Sequence, residues 1–171
     1  MGTLPVLTDD CSQCAGLCCI AYPFDDPDYF ATSKAADTAC KNLGSCFECT
    51  IHDDLNAKGF PGCVSYSCAG AGQRVIQEFF EGETWQDYPA LRPEMTHGLR
   101  VLRPIHEALM LLDQAQGLPV PQALLDEGKM LMQALCPDDP TGICDFETLE
   151  VQGALAQVPT YLRGLGTYLD I

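Results

Sequence analysis

Gly70-Ala71-Gly72-Gln73-Arg74-Val75-Ile76-Gln77-Glu78-Phe79-Phe80-Glu81-Gly82 is where the chain changes character. Within it Val75, Ile76, Phe79 and Phe80 stand at i, i+1, i+4 and i+5, which is one face of a helix ending near Gly82. Beyond it the helical pattern continues. Leu99, Leu102, His106 and Leu109 make a second stripe, and Pro104 is expected to kink or divide that helix. A third helix begins at Pro121, where a missing N–H costs nothing, turns Leu124, Leu125, Leu131, Met132 and Leu135 inward, and stops before Pro137. Asp145 is the expected cap of a fourth, striped by Val151, Leu155, Val158, Leu162, Leu165 and Leu169. Pro159 interrupts that stripe, so two short helices or one kinked helix both satisfy it.

On the N-terminal side, residues up to about 70 are rich in Gly, Pro, Asp and Cys, and their apolar runs are too short to fold on burial alone. One helix signal lies there: Thr50 as N-cap, Ile51 to Lys58, then Gly59 as left-handed terminator. No β-rich stretch, internal repeat or low-complexity tract is visible. The expected fold is mainly α, one domain over 1–171. An irregular, metal-organised, cysteine-rich lobe (1–70) is carried on a helical bundle (71–171), a length well within one domain.

Charge and hydropathy exclude two classes of partner. Nine Lys and Arg against 24 Asp and Glu give a net charge of -15, which repels a phosphate backbone, so nucleic-acid binding is not expected. The chain is 47% apolar with mean hydropathy +0.01, and no run approaches the about 18 apolar residues of a membrane span. Eleven cysteines, an odd count, exclude a fully paired intrachain disulfide framework. Met1 to Asp10 carries neither the basic start nor the apolar run of a secretory signal, so a cytoplasmic protein with reduced thiols is expected.

The cysteines are concentrated: nine of the eleven lie between residues 11 and 68. Cys11-x2-Cys14-x3-Cys18-Cys19 puts four sulfurs within nine residues, Cys46-x2-Cys49 adds a second turn, and Cys63-x4-Cys68 brings a third pair. Thiolates converging in this way suit zinc or an iron–sulfur cluster, because a Cys-x2-Cys turn offers two sulfurs and the amides that donate to them. Cys11, Cys14, Cys18, Cys19, Cys46, Cys49, Cys63 and Cys68 are the expected ligands, two sets of four, with Cys40 and His52 in reserve. The vicinal Cys18-Cys19 favours a polynuclear arrangement. Cys136 and Cys144 lack ligand spacing and read as packing residues.

These motifs resemble the zinc- or iron-chelating cysteine-cluster proteins, which carry CxxCxxxCC. They are closer still to the cysteine-rich segment that precedes pentapeptide repeats in bacterial proteins. The likeness runs from Cys11 to Trp85 through Phe30-x3-Lys34, Cys40 to Leu43, Cys46-x2-Cys49-Thr-Ile-His52, Gly59-Phe60-Pro61-Gly62-Cys63 and Tyr66 to Gln73. It implies metal binding without naming a reaction. Pentapeptide repeats are absent, and the helical part stands in their place.

Among the remaining candidates, Gly70 and Gly72 open a helix and are expected to direct amides onto metal-bound sulfurs, although the plain reading is a tight connection. His106 reads as a core histidine and His97 has no identified role. Arg92, Arg100 and Arg103 read as a solvated face answering Glu94 and Glu107. The functional expectation is metal binding, with zinc first and an iron–sulfur cluster as the alternative cofactor. A metal- or thiol-dependent redox or transfer enzyme is a second possibility, and a metal chaperone or store a third. The helical part is the place for a protein partner.

Overall fold

A computed structural model describes residues 2–168. The chain is mainly helical. The helices are α1 (Cys18–Ala21), α2 (Pro61–Ser65), α3 (Ala71–Arg74), α4 (Arg92–Ala115), α5 (Gln122–Leu135) and α6 (Leu149–Leu165), joined by short 3-10 turns. Among the described residues the extended pairings are two isolated bridges, Phe24 with Lys34 and Leu43 with Cys49.

The chain divides into two compact units, Thr8–Arg100 and Met1–Leu7 with Val101–Ile171. The division falls at Arg100 rather than at residue 70, because residues 71–100 tie their side chains back to the cysteine-bearing loops. α4 runs across that division.

In the unit from Val101 onward, helix stripes supply the core. Leu102, Ile105, His106, Leu109, Leu112, Leu135 and Phe146 are fully buried. α5 packs on α6, and the Tyr161 hydroxyl donates to the Leu124 carbonyl at 3.0 Å. Gly128 makes that approach possible, since a Cβ there would meet Tyr161 and lie 2.8 Å from Gln116 Nε2. The α6 face is buried at Val151, Ala154, Val158, Tyr161 and Leu165, while Leu155 is half-buried and Leu169 lies outside the described residues. Neither proline divides its helix. Pro104 and Pro159 each remove one backbone bond, but buried residues on both sides keep α4 and α6 continuous. The α6 cap is Thr148, which accepts from Val151 N. Asp145 instead accepts from Gly142 N at 3.2 Å and caps the preceding 3-10 turn.

The unit Thr8–Arg100 is built differently. Its loops surround small apolar clusters, one of which joins Phe24, Leu55 and Phe60, with the Phe30 ring stacked on Phe24 at 4.3 Å. The helix expected over Ile51 to Lys58 shrinks to the 3-10 turn His52–Asp54. Thr50 Oγ1 donates to the Asn42 carbonyl at 3.0 Å and so caps nothing, and Asp53, Asp54 and Asn56 are weak helix formers. Gly59 does take the left-handed conformation, at φ 82°. The stripe Val75 to Phe80 winds as a π-helical turn, Val75–Phe79, continuing α3. Val75 and Ile76 are buried, while Phe79 and Phe80 are only partly so.

Candidate functional site

Nine thiols fall inside the unit Thr8–Arg100, and local structure sorts eight of them into two groups. The first forms around the loop 11–18. Cys11 opens a 3-10 turn capped by the Asp10 side chain, and Cys14 N–H closes it on the Cys11 carbonyl at 3.4 Å. The amides of Leu17 and Gly16 donate to the Cys14 sulfur, yet burial dominates and pushes this thiol up to about 12. Cys68 arrives from the segment before α3. The amides of Gly72 and Gly70 donate to its sulfur, its thiol donates to Asp9 Oδ1 at 3.2 Å, and burial raises it to about 11. Gly70 N–H also donates to Asp9, at 3.1 Å.

Gly72 lets the two sulfurs approach, because a Cβ there would stand 2.7 Å from Cys14 Sγ and 3.7 Å from Cys68 Sγ. Cys14 and Cys11 are among the groups that raise Cys18, after its hydrogen bond with Cys19 and burial. Tyr66, whose ring lies 5.6 Å from that of Tyr22, feels both Cys18 and Cys68.

The second group lines the Phe24, Leu55, Phe60 cluster, against which Cys40, Cys49 and Cys63 all pack. Cys40 N–H donates to the Cys19 carbonyl at 2.9 Å, which binds the Cys40 turn to α1. Burial, followed by Cys19, Cys40 and Cys49, raises the Cys63 thiol to about 11. Cys49 is raised by burial and by Cys19 and Cys40.

The neighbours Cys18 and Cys19 stand between the groups and share a hydrogen bond, and Cys19 acts on Cys11 of the first group as well as on Cys49 and Cys63 of the second. That bond, with burial, holds Cys18 well above the usual thiol range, while the same bond and the Lys34 ammonium lower Cys19. Among the described residues, no set of three or more His, Cys, Asp or Glu is arranged to hold a metal ion. Among the described residues none of the eleven cysteines is in a disulfide.

Two expected ligands stand apart from these groups. Cys46 is exposed at the tip of the turn Gly44–Glu48, which Gly44 N–H closes on the Glu48 carbonyl at 2.8 Å. Phe47, which follows Cys46, takes φ 63°, and Cys46 is exposed while Cys49 is half-buried against the Phe24, Leu55, Phe60 cluster. Cys40, held in reserve, packs against that same cluster with Cys49 and Cys63. The His52 side chain is 71% exposed, with Nδ1 3.7 Å from Asp53 Oδ1, beside a shallow groove lined by Asp54, Leu55 and Val64. Its link to the thiols is its backbone, which donates to the Cys49 carbonyl at 3.2 Å. Cys136 is buried and Cys144 exposed, both outside this unit.

Several residues that hold the loops were weakly marked or unmarked in the sequence. The Lys34 ammonium donates to the carbonyls of Ile20 (3.1 Å), Tyr22, Ala35 (3.2 Å) and Thr38 (2.9 Å), and it lies 5.0 Å over the Phe24 ring. It therefore fixes a positive charge beside Cys19 and Cys40, whose fields partly offset the burial that lowers its own pKa. Only the Phe-x3-Lys element of the resemblance pointed to it. Arg100 is not part of a solvated face: it donates to the Ala21 carbonyl and to Asp37 Oδ1, both at 2.6 Å. Arg103 does answer Glu107, at 3.5 Å.

Three further side chains anchor the loop 8–15. Gln73 exchanges hydrogen bonds with Asp10 N and the Thr8 carbonyl, Gln77 donates to the Gln13 carbonyl, and Trp85 Nε1 donates to the Ala15 carbonyl at 2.7 Å. The Trp85 ring also meets Phe47 edge-on at 5.7 Å.

No family model matches the chain, and no solved structure matches it. It is similar to the uncharacterized protein YybG of Bacillus subtilis (strain 168), with 39% identity over 121 residues. That match takes in 71% of this chain and 43% of YybG, so the chain spans less than half the length of that relative. No helix among the described residues is long and apolar enough to cross a membrane.

Proposed function

We propose that this chain is a metal-binding protein that coordinates a soft ion, zinc first, through the clustered cysteines of residues 11–68. The observation that carries this reading is the approach of two sulfurs at Gly72, where a Cβ would stand 2.7 Å from Cys14 Sγ and 3.7 Å from Cys68 Sγ, with backbone amides beside both. Gly16 and Leu17 serve Cys14, Gly70 and Gly72 serve Cys68, and Gly72 has no Cβ to keep those sulfurs apart. Amide donors stabilise a thiolate far more than a thiol, yet burial keeps these groups protonated without a cation, so the arrangement suits a bound positive charge. An all-sulfur donor set selects zinc, copper(I) or iron–sulfur chemistry over oxygen-loving cations. The resemblance of residues 11–85 to metal-chelating cysteine-cluster proteins points the same way.

The side chains stand outside ligand geometry, so binding entails closure of the sulfurs onto the ion to about 2.3 Å, with release of protons. In a closed four-sulfur site zinc supplies folding energy. Elemental analysis of untagged protein purified without oxygen or added metal tests this reading. About two zinc ions per chain are expected. Iron at about three or four per chain with matching sulfide identifies a cluster instead, and no stoichiometric metal overturns the reading.

A further inference from the structure

We propose that the thiols form two separate four-sulfur sites meeting at the Cys18–Cys19 peptide: Cys11, Cys14, Cys18 and Cys68 in one, Cys19, Cys40, Cys49 and Cys63 in the other. Cys46 belongs to neither. This assignment rests on the metal-binding reading above and adds the ligand sets.

Three geometric observations carry it. First, the Cys14 and Cys68 sulfurs both border the space that a Gly72 Cβ would fill, with Cys11 one hydrogen-bonded turn before Cys14. Second, Cys40, Cys49 and Cys63 share one apolar floor, and the Cys40 amide bonds the Cys19 carbonyl. Third, α1 starts at Cys18, and consecutive side chains on a helix diverge by about 100°. The two side chains therefore diverge, which lets Cys18 serve the first set and Cys19 the second.

Charge agrees with this assignment. A four-thiolate site with a divalent ion carries a net charge of about -2 by formal count. Lys34, held by four carbonyls, lies beside Cys19 and Cys40 and offsets part of that charge at the second site. The first site relies on the amides of Gly16, Leu17, Gly70 and Gly72 instead. The turn that carries Cys46 exposes that sulfur, while its ties run through Phe47, which meets Trp85 edge-on and borders Gly16, and through the bridge of Leu43 with Cys49.

The test is anaerobic zinc titration of the metal-stripped full chain, with bound zinc counted by mass spectrometry under native conditions. The wild type and Cys46→Ser should each hold about two ions, and Cys40→Ser and Cys68→Ser about one each. A drop in Cys46→Ser, or about two ions retained in Cys40→Ser, overturns the assignment. A wild type holding about one ion overturns it too, whereas a wild type holding none overturns the metal-binding reading itself.

A second measurement needs no variant. Alkylation of the zinc-loaded wild type should modify Cys46 and Cys144 readily and leave the eight ligands protected. Rapid modification of Cys40 at a rate matching Cys46 contradicts the second site.

Discussion

The units Thr8–Arg100 and Val101 onward both bury apolar side chains, but they differ in how much polar side-chain anchoring is added to that burial. In the second, a few long helices bury leucines on regular stripes, and Leu102, Leu109, Leu112 and Leu135 are wholly out of water. In the first, Leu17, Ile20, Val75, Met95 and Leu99 are buried just as fully, and to this are added side chains that reach back to distant carbonyls: Lys34 to Ile20 and Tyr22, Trp85 to Ala15, Arg100 to Ala21. Burial is non-directional and tolerates change, whereas such polar ties set positions. The region that carries nine of the eleven thiols adds the second kind of contact to the first.

This comparison can be broken by substitution. The largest effect is expected in the helical unit, where Leu135→Ala should cost ~2–5 kcal/mol in urea unfolding, because a fully buried side chain leaves a cavity. Zinc content should stay unchanged. Loss of zinc in that variant shows that the two units do not stand independently.

In the cysteine-bearing unit, Trp85→Phe keeps the ring but removes the donor to Ala15, and should cost ~1 kcal/mol. Hydrogen exchange should report it as faster exchange of amides 14–18, with amides in α5 and α6 unaffected.

Gly72→Ala sharpens the comparison at one atom. Its Cβ enters the space of Cys14 Sγ, so Cys14 must move, and several-fold faster alkylation of Cys14 in metal-free protein is expected. Equal rates in variant and wild type show that the Gly72 contact does not position Cys14.

The smallest effect is at the exposed pair Arg100–Asp37. Arg100 holds the Asp37 carboxyl below its usual pKa, so the pair adds stability above about pH 3.8 and loses it as pH falls through the lower folded value. Both side chains are partly solvated, so screening limits the effect to ~0.5 kcal/mol. Arg100→Met should lie below wild type at pH 7 by about that amount, and the gap should close towards pH 3. A gap that is constant with pH assigns the loss to the Ala21 carbonyl contact instead.

The two units were also unequally legible. The 3.6-residue stripe of α6 is a local property, and it survives Pro159 because buried neighbours on both sides outweigh one lost hydrogen bond. The position of Cys46 is not a local property. Its Cys-x2-Cys spacing is the same as that of Cys11 and Cys14, but Cys46 is exposed and Phe47 after it takes a positive φ, and spacing carries no record of either. Cys40 enters through a backbone bond to Cys19, a contact across twenty-one residues that no short motif encodes. Lys34 was hidden for a related reason: its partners are carbonyls, which every residue has. Gly70 and Gly72 were marked by their type alone, and the structure directs their amides to Cys68.

The most direct measurement is hydrogen exchange on the full chain, metal-loaded and metal-stripped, followed by mass spectrometry. Stripping should remove protection from amides in Thr8–Arg100 and leave those around Leu131, Leu135, Val151 and Val158 as they were. Unchanged protection in Thr8–Arg100 would contradict the claim that thiol-bound metal organises that unit.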